Sequence, residues 1–168
     1  GRWKIFYFNL SKMKLLECEK PAQGIEPYDC SLIRFQEILT LPPWGAEVLD
    51  QIGLPEDEED AYRELLDEIH NDSKHQMFGY PSQIQGEMQM ECQLVTHGLY
   101  CGDDSVCNDP RSKELIKNAN QWQLLLQVDS DDGANMVWGD YGRLFFWIQE
   151  GDLQQADFDN VWLILQCE

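Results

Sequence analysis

The hydrophobic positions of this chain are densest in its last third, where three nearly continuous apolar runs are separated by polar, glycine-bearing connections. The runs cover residues 122–128, 144–148 and 161–165. Short apolar runs that are rich in aromatic and aliphatic side chains are typical of strands buried on both faces. Each face of such a strand needs a covering layer. The pattern therefore predicts an α+β fold, in which helices pack on a mostly antiparallel β-sheet.

The first part of the chain has a more mixed pattern. Residues 3–8 and 13–18 are interpreted as the two strands of a hairpin that is joined by a short polar turn. Residues 31–41 fit either a helix or a strand. Their β-branched residues and the proline pair that follows them favour a strand that ends in a turn.

Helices are predicted around these strands. Apolar residues recur at helical spacing in 57–71, and the acidic residues at the start of this segment complement the helix dipole. Asp109 followed by Pro110 is a helix start, with Asp as N-cap and Pro at the first helical position. The predicted helices cover residues 44–52, 57–71, 87–97 and 109–119, with a short helical turn at 152–156.

Length and composition predict one soluble domain that spans residues 1–168. Of these residues 43% are hydrophobic and 26% are charged, which is ordinary for a globular protein. The sequence has no apolar run of the roughly 18 residues that a transmembrane helix needs, and no visible signal peptide. We therefore predict a cytoplasmic protein.

The net charge narrows the choice of partners. The chain has 31 acidic and 12 basic residues, which gives −19 at pH 7. A field of this sign repels nucleic acids and anionic membranes, so neither is a predicted partner, and it attracts basic proteins. The window 47–72 has 11 acidic residues and one Arg, Arg63. It is interpreted either as a solvated helix face or as a docking surface for a basic partner.

Neither of two groups of possible ligands predicts a metal site. The first group consists of Cys92, His97, Cys101 and Cys107. Its spacings match no usual zinc site, and a reduced cysteine is commonly a small buried apolar residue. In the second group, counting from Asp129 as position 1 places Ala134 at position 6 and Asp140 at position 12. A calcium loop of the EF-hand type needs Gly and Glu there. No phosphate-binding glycine loop occurs either, so no cofactor is predicted.

Three motif stretches resemble the YwqG-like family of bacterial domains of unknown function. They are residues 75–86, 122–131 with Leu-Leu-Gln-Val-Asp-Ser-Asp, and 136–148 with Trp-Gly-Asp-Tyr-Gly-Arg-Leu-Phe-Phe-Trp. The second and third stretches are also similar to the C-terminal domain of eukaryotic programmed cell death protein 2. An internal echo of the second stretch, Trp-x-Leu-Leu-Leu-Gln, returns as Trp-Leu-Ile-Leu-Gln at residues 162–166.

The resemblance implies a fold and a protein-binding role, not a reaction. The eukaryotic relatives are implicated in escorting a basic ribosomal protein, and some bacterial families of this kind accompany toxins as immunity proteins. Family members usually have an upstream Gly-Gly-x-Pro segment that this chain lacks. We therefore expect the chain to be the C-terminal part of a longer family member.

The motif stretches contain the candidate binding residues. These are His75, Tyr80, Gln85, Asp129, Asp131, Trp138, Asp140 and Arg143. Asp140 and Arg143 are interpreted as a buried pair that fixes a turn or as the floor of a pocket. No catalytic residue is predicted, because no nucleophile motif occurs and His75 with a neighbouring carboxylate is only a possible general base.

The sequence therefore predicts a non-enzymatic, acidic protein-interaction module that binds a basic protein, in the manner of an escort or immunity protein. The acidic window would steer the encounter, and the loops 79–86 and 129–142 would make shape-specific contacts. One alternative is a small-molecule-binding or hydrolytic enzyme that uses the His, Asp and Arg residues of the candidate site. Another is a structural domain of a longer protein.

Overall fold

The computed structural model describes residues 3–8, 28, 31–70, 75–103 and 105–167. Within them the chain forms six α-helices, two 3₁₀ turns and four strands. In chain order the elements are α1 (Glu47–Ile52), α2 (Glu56–His70), β1 (His75–Gln76), α3 (Gln89–Thr96), α4 (Ser105–Asn108), α5 (Ser112–Ile116), a 3₁₀ turn (Ala119–Gln121), β2 (Trp122–Asp129), a 3₁₀ turn (Asp132–Ala134), β3 (Arg143–Gln149), α6 (Glu150–Gln155) and β4 (Trp162–Gln166).

The four strands form one sheet in which every pairing is antiparallel and the spatial order follows the chain, β1-β2-β3-β4. A bulge between Leu124 and Leu126 shifts the register of β2 against β3. The three apolar runs became β2, β3 and β4 with nearly the predicted bounds. The predicted α+β architecture, a mostly antiparallel sheet with helices packed on it, is confirmed.

The two faces of the sheet are covered by different elements. One face packs against α3 and the residue before it, in a cluster that consists of Met88, Cys92, Trp122, Leu124, Phe145, Trp147 and Ile164. The opposite face holds a smaller buried cluster of Leu125, Ile148 and Val161, which Ile5, Leu153 of α6 and Phe158 partly cover. Both faces of the strands therefore find apolar partners, as the continuous hydrophobic runs required.

The predicted N-terminal hairpin is not supported by the residues that the structure describes. Residues 3–8 have no regular secondary structure, and the second predicted strand, 13–18, lies outside the described residues. The segment instead contacts the sheet beside β4, where the Nε1–H of Trp3 donates to the carbonyl of Val161 at 3.0 Å. Ile5 packs against the smaller cluster.

The strand predicted at 31–41 is wrong. The segment has no regular secondary structure, and its apolar side chains face solvent: Leu32 is 86% exposed and Phe35 is 81% exposed. No described strand lies beside it, so its β-propensity has no ladder to join. Its end is fixed to the next motif, since the backbone N–H of Tyr80 donates to Oγ1 of Thr40 at 3.1 Å.

Each predicted helix is present. Those predicted at 44–52, 87–97 and 109–119 are shorter than predicted, whereas α2 keeps its predicted length and α6 is one residue longer than its predicted turn. The helix predicted at 109–119 is α5, Ser112–Ile116, followed by a separate 3₁₀ turn. Oδ1 of Asp109 accepts a hydrogen bond from the backbone N–H of Arg111 at 2.8 Å, which makes a turn before α5. Among the helices of the described residues, none has both the length and the hydropathy needed to cross a bilayer.

Candidate functional site

The candidate residues gather at one end of the sheet, where β2 ends and β3 begins. Asp129 lies opposite Arg143 in the β2–β3 register, and Arg143 lies opposite Gln166 in the β3–β4 register. Nε of Arg143 is 2.8 Å from Oδ2 of Asp129, and both side chains are largely buried. The Nε–H bond is not aligned well enough to make a hydrogen bond, so charge attraction holds this contact. Nη1 of Arg143 donates to the carbonyl of Ser82 at 2.8 Å.

His75 joins this ion pair to the loop that follows β2. Its Nδ1 accepts the backbone N–H of Asp129 at 3.2 Å, so Nδ1 carries no proton in this arrangement. The proton of the neutral ring is then on Nε2, which lies 3.3 Å from Oδ2 of Asp131. Both ring nitrogens of His75 are therefore engaged by groups of the protein itself.

The 130–142 connection is braced by its own side chains. Oγ of Ser130 donates to the carbonyl of Gly142 at 2.8 Å and accepts the backbone N–H of Trp138 at 3.0 Å. The indole Nε1–H of Trp138 donates to the carbonyl of Asp129 at 3.1 Å. Oδ1 of Asp131 accepts the N–H of Gly133 at 2.8 Å. Ser130, the hydroxyl nearest in sequence to the His–Asp contact, thus has a bracing role.

Three buried glutamines hold the 78–86 loop against the sheet, and sequence reasoning did not assign them this role. Nε2 of Gln76 donates to the carbonyls of Phe78 and Tyr80, both at 2.7 Å. Oε1 of Gln127 accepts the N–H of Ser82 at 2.9 Å. Each glutamine belongs to a different strand, so the loop is tied across the width of the sheet.

Gln166 makes the densest of these contacts. Its Oε1 accepts the N–H groups of Ile84 at 2.8 Å and Gln85 at 3.0 Å, and its Nε2 donates to the carbonyl of Gly86 at 3.0 Å. The available sequence signal was the internal echo, because both copies end an apolar run with a polar Gln. A buried polar residue in such a run needs a hydrogen-bond partner.

The structure brings together five of the eight candidate residues and separates three. His75, Asp129, Asp131, Trp138 and Arg143 share the network described above. Tyr80 and Gln85 belong to the neighbouring 78–86 loop, and the hydrogen bonds described for them are made by their backbone groups. Asp140 is exposed and forms no ion pair with Arg143. The interpretation of Asp140 and Arg143 as a buried pair is therefore wrong, because the strand register places Asp129 directly opposite Arg143.

Two titratable groups near the core have shifted pKa values. Burial raises the pKa of the Cys92 thiol, and the neighbouring Glu91 carboxylate raises it further, so the thiolate is disfavoured. Burial also raises the pKa of Glu91 itself. A buried thiol of this kind is a packing residue, not a nucleophile. Within the described part of the chain, no three His, Cys, Asp or Glu side chains are placed to hold a metal ion.

Comparison with protein families finds a match over nearly the whole chain. The family described as "Domain of unknown function (DUF1963)" matches residues 1–167. No curated protein matches the sequence at a significant level.

Proposed function

We propose that this chain, which belongs to the DUF1963 family of domains of unknown function, is a non-enzymatic, acidic module that binds a basic protein partner. The observation that carries the proposal is the charge of α2. This 15-residue helix contains eight acidic residues and one Arg. Its exposed carboxylates are those of Glu56, Asp57, Glu58, Asp60, Glu64, Asp67 and Glu68.

The packing of α2 leaves this charge free to act on a partner. Among the side chains of the helix that the structure describes, only Leu66 is buried, at 6% exposure. The hydroxyl of Tyr62 donates to the carbonyl of Pro42 at 2.7 Å, which fixes one side of the helix. The guanidinium of Arg63 lies 4.1 Å from the ring centroid of Trp44 and pairs with Asp60 at 3.2 Å. Arg63 therefore offsets charge only locally, and most of the helix presents carboxylates to solvent.

The motif loops are proposed to contribute shape and not chemistry. Their polar groups hold the loops to the sheet, so the loops can present a fixed surface beside the sheet end. A fixed surface lowers the ordering cost of association, and the acidic field raises the encounter rate with a basic protein. The resemblance to the YwqG-like family and to programmed cell death protein 2 supports the same class of role, an escort or immunity function in the cytoplasm. We also propose that the chain is the C-terminal part of a longer protein.

One observation favours a second candidate function, a small-molecule or hydrolytic site. The His75 side chain is 41% exposed and that of Asp131 is 25% exposed, so a ligand can reach this contact. The engagement of Ser130 and of both His75 nitrogens argues against it. A ligand screen on the wild type and on His75→Ala would detect such a site; specific binding that His75→Ala removes would favour this candidate over the first.

The test is capture of partners from a lysate of the native organism at low and high salt, with two charge variants of equal size. The first variant is Glu64→Gln, Asp67→Asn and Glu68→Gln on α2. The control neutralises three exposed carboxylates elsewhere, Glu37→Gln, Glu87→Gln and Glu150→Gln. We expect a basic protein that is retained at low salt, released at high salt and lost with the α2 variant only. Capture that is insensitive to salt, or equally reduced by both variants, would refute steering by α2.

A further inference from the structure

A cleft of the described surface lies at the opposite end of the sheet from the candidate site. It has a volume of about 560 Å³ and lies where β2 and β4 begin and β3 ends. This volume is within the range of about 300–1,000 Å³ that is typical of ligand pockets. Trp3 and Trp162 provide partly exposed aromatic surface, Trp122 of the lining is buried in the core, and Asp152 and Asp159 provide negative charge.

Three of the side-chain donors that line this cleft are engaged by the protein. Nε1 of Trp3 donates to the carbonyl of Val161 at 3.0 Å, and Nε1 of Trp122 donates to Oε1 of Gln93 at 2.8 Å. Oγ1 of Thr96 donates to the carbonyl of Cys92 at 2.7 Å. These three donors are therefore not free to bind a ligand, which meets the aromatic rings instead.

The acceptors and charges of the cleft remain available. Nδ1 of His97 is 2.7 Å from the carbonyl of Gln93 and must donate to it, which leaves Nε2 of the neutral ring as an acceptor. Asp152 and Asp159 form no ion pair within the described part of the chain. None of the described residues that line the cleft is Lys or Arg. The cleft therefore offers acceptors and negative charge to a ligand that supplies donors and positive charge.

The backbone fixes the two carboxylates on different elements around the cleft. Asp152 lies in the first turn of α6, and its carbonyl accepts the N–H of Asp157 at 2.9 Å, which ties the end of α6 to the next turn. Oδ1 of Asp157 accepts the N–H of Asp159 at 3.1 Å, which positions that residue. On the aromatic side, the rings of Trp3 and Trp162 meet edge to face, with centroids 5.0 Å apart.

We propose that this cleft binds the guanidinium group of an arginine side chain presented by a protein partner. A guanidinium is planar and weakly hydrated, stacks on aromatic faces and donates several hydrogen bonds to carboxylates. That the arginine belongs to a basic protein rests on the proposed function. Binding of the guanidinium itself does not, because it follows from the cleft alone.

The test uses small probes and needs no partner. N-acetyl-arginine N-methylamide is titrated into the ¹⁵N-labelled protein, and the indole N–H signals of Trp3 and Trp162 are followed after assignment with Trp→Phe variants. The matched neutral probe is the citrulline derivative, which has the same shape without the charge. We expect the arginine probe to shift these two signals and the citrulline and lysine derivatives to bind more weakly. Equal binding of either control probe would overturn the assignment.

Two variants test the carboxylates. The double variant Asp152→Asn and Asp159→Asn should weaken arginine binding about tenfold, since one exposed ion pair changes a binding constant about two- to fivefold. Glu37→Gln removes one charge outside the cleft, at an exposed position, and should leave binding unchanged. Unchanged affinity in the double variant, or an equal loss in the Glu37 variant, would overturn the proposal.

These outcomes separate the two proposals. Arginine binding in the cleft without salt-dependent capture of any basic protein would contradict the proposed function and support the cleft. Salt-dependent capture that the α2 variant removes, without binding of the arginine probe, would support the function and overturn the cleft assignment.

Discussion

Replacing Gln166 by Met should release the 78–86 loop from the sheet and destabilise the domain. Gln166 is 5% exposed, and its amide makes three hydrogen bonds to the loop backbone. Met has a similar volume and length, so the change removes the amide without opening a large cavity. It leaves two N–H groups and one carbonyl of the loop without their partner.

The magnitude follows from this count. Each lost hydrogen bond costs about 1 kcal/mol, so Gln166→Met should lower the free energy of unfolding by about 3 kcal/mol. Gln127→Met provides an internal comparison. The Gln127 side chain has one hydrogen bond to the loop, and its Nε2 is buried without a partner among the described residues. Removing that unpartnered amide offsets part of the loss, so Gln127→Met should cost less than about 1 kcal/mol.

The assay combines urea unfolding with amide hydrogen exchange. Unfolding curves give the two free-energy differences, with Gln123→Met at an exposed position of β2 as the control for a Gln-to-Met change. Exchange should accelerate at the amides of Ile84 and Gln85 in the Gln166 variant. In the Gln127 variant it should accelerate at the amide of Ser82. If Gln166→Met costs no more than Gln127→Met, or if exchange at residues 84 and 85 is unchanged, the account of the loop is wrong.

Three further predictions test other contacts. Gly142→Ala should be strongly destabilising, because a Cβ there would overlap a backbone carbonyl of β4 and lie 2.7 Å from the Cys167 side chain. The control is Gly151→Ala in α6, where a Cβ meets nothing within 4 Å and should stabilise the protein by about 0.5–1 kcal/mol. Thermal unfolding curves of the two variants measure the contrast. Arg143→Met leaves the Asp129 carboxylate buried without its cation and should cost about 2 kcal/mol in urea unfolding, whereas a neutral result would show that the pair adds nothing. The raised folded-state pKa of Glu91 means that its ionisation costs stability, and this cost appears as the pH rises through the folded pKa. Glu91→Gln should therefore be more stable than the wild type at pH 7, with a difference that shrinks toward pH 4; a constant difference over that range would contradict burial as the cause.

The sequence predicted those parts of the fold that local pattern determines. The runs at 122–128 and 144–148 became strands because continuous apolar segments of that length have few other ways to be buried. The segment 31–41 has similar strand propensity but no described neighbour to pair with, so the same reasoning failed there. Propensity describes a residue, whereas a strand needs a partner.

The sequence indicated which residues gather at the candidate site, but not which of them pair with each other. The motif residues do meet at one end of the sheet, but the identity of the partner of Arg143 depended on register, which spacing along the chain does not contain. Asp140 is closer to Arg143 in sequence, and Asp129 is closer in space. The three glutamines were missed for a related reason, since nothing local says which loop a buried amide will reach.

The internal contacts of the motif residues bear on where function lies. The groups that make the motif distinctive include the His75–Asp131 contact, the Asp129–Arg143 pair and Ser130, and the structure engages each of them in holding two loops to the sheet. A motif that builds the scaffold identifies a fold without identifying a ligand. Within the described part of the chain, the carboxylates that form no ion pair include most of those on α2, and Asp152 and Asp159 in the tryptophan-lined cleft. A second molecule gains binding energy by pairing with a charge that has no partner within the protein. Binding should therefore be sought first at those two surfaces, and not at the motif.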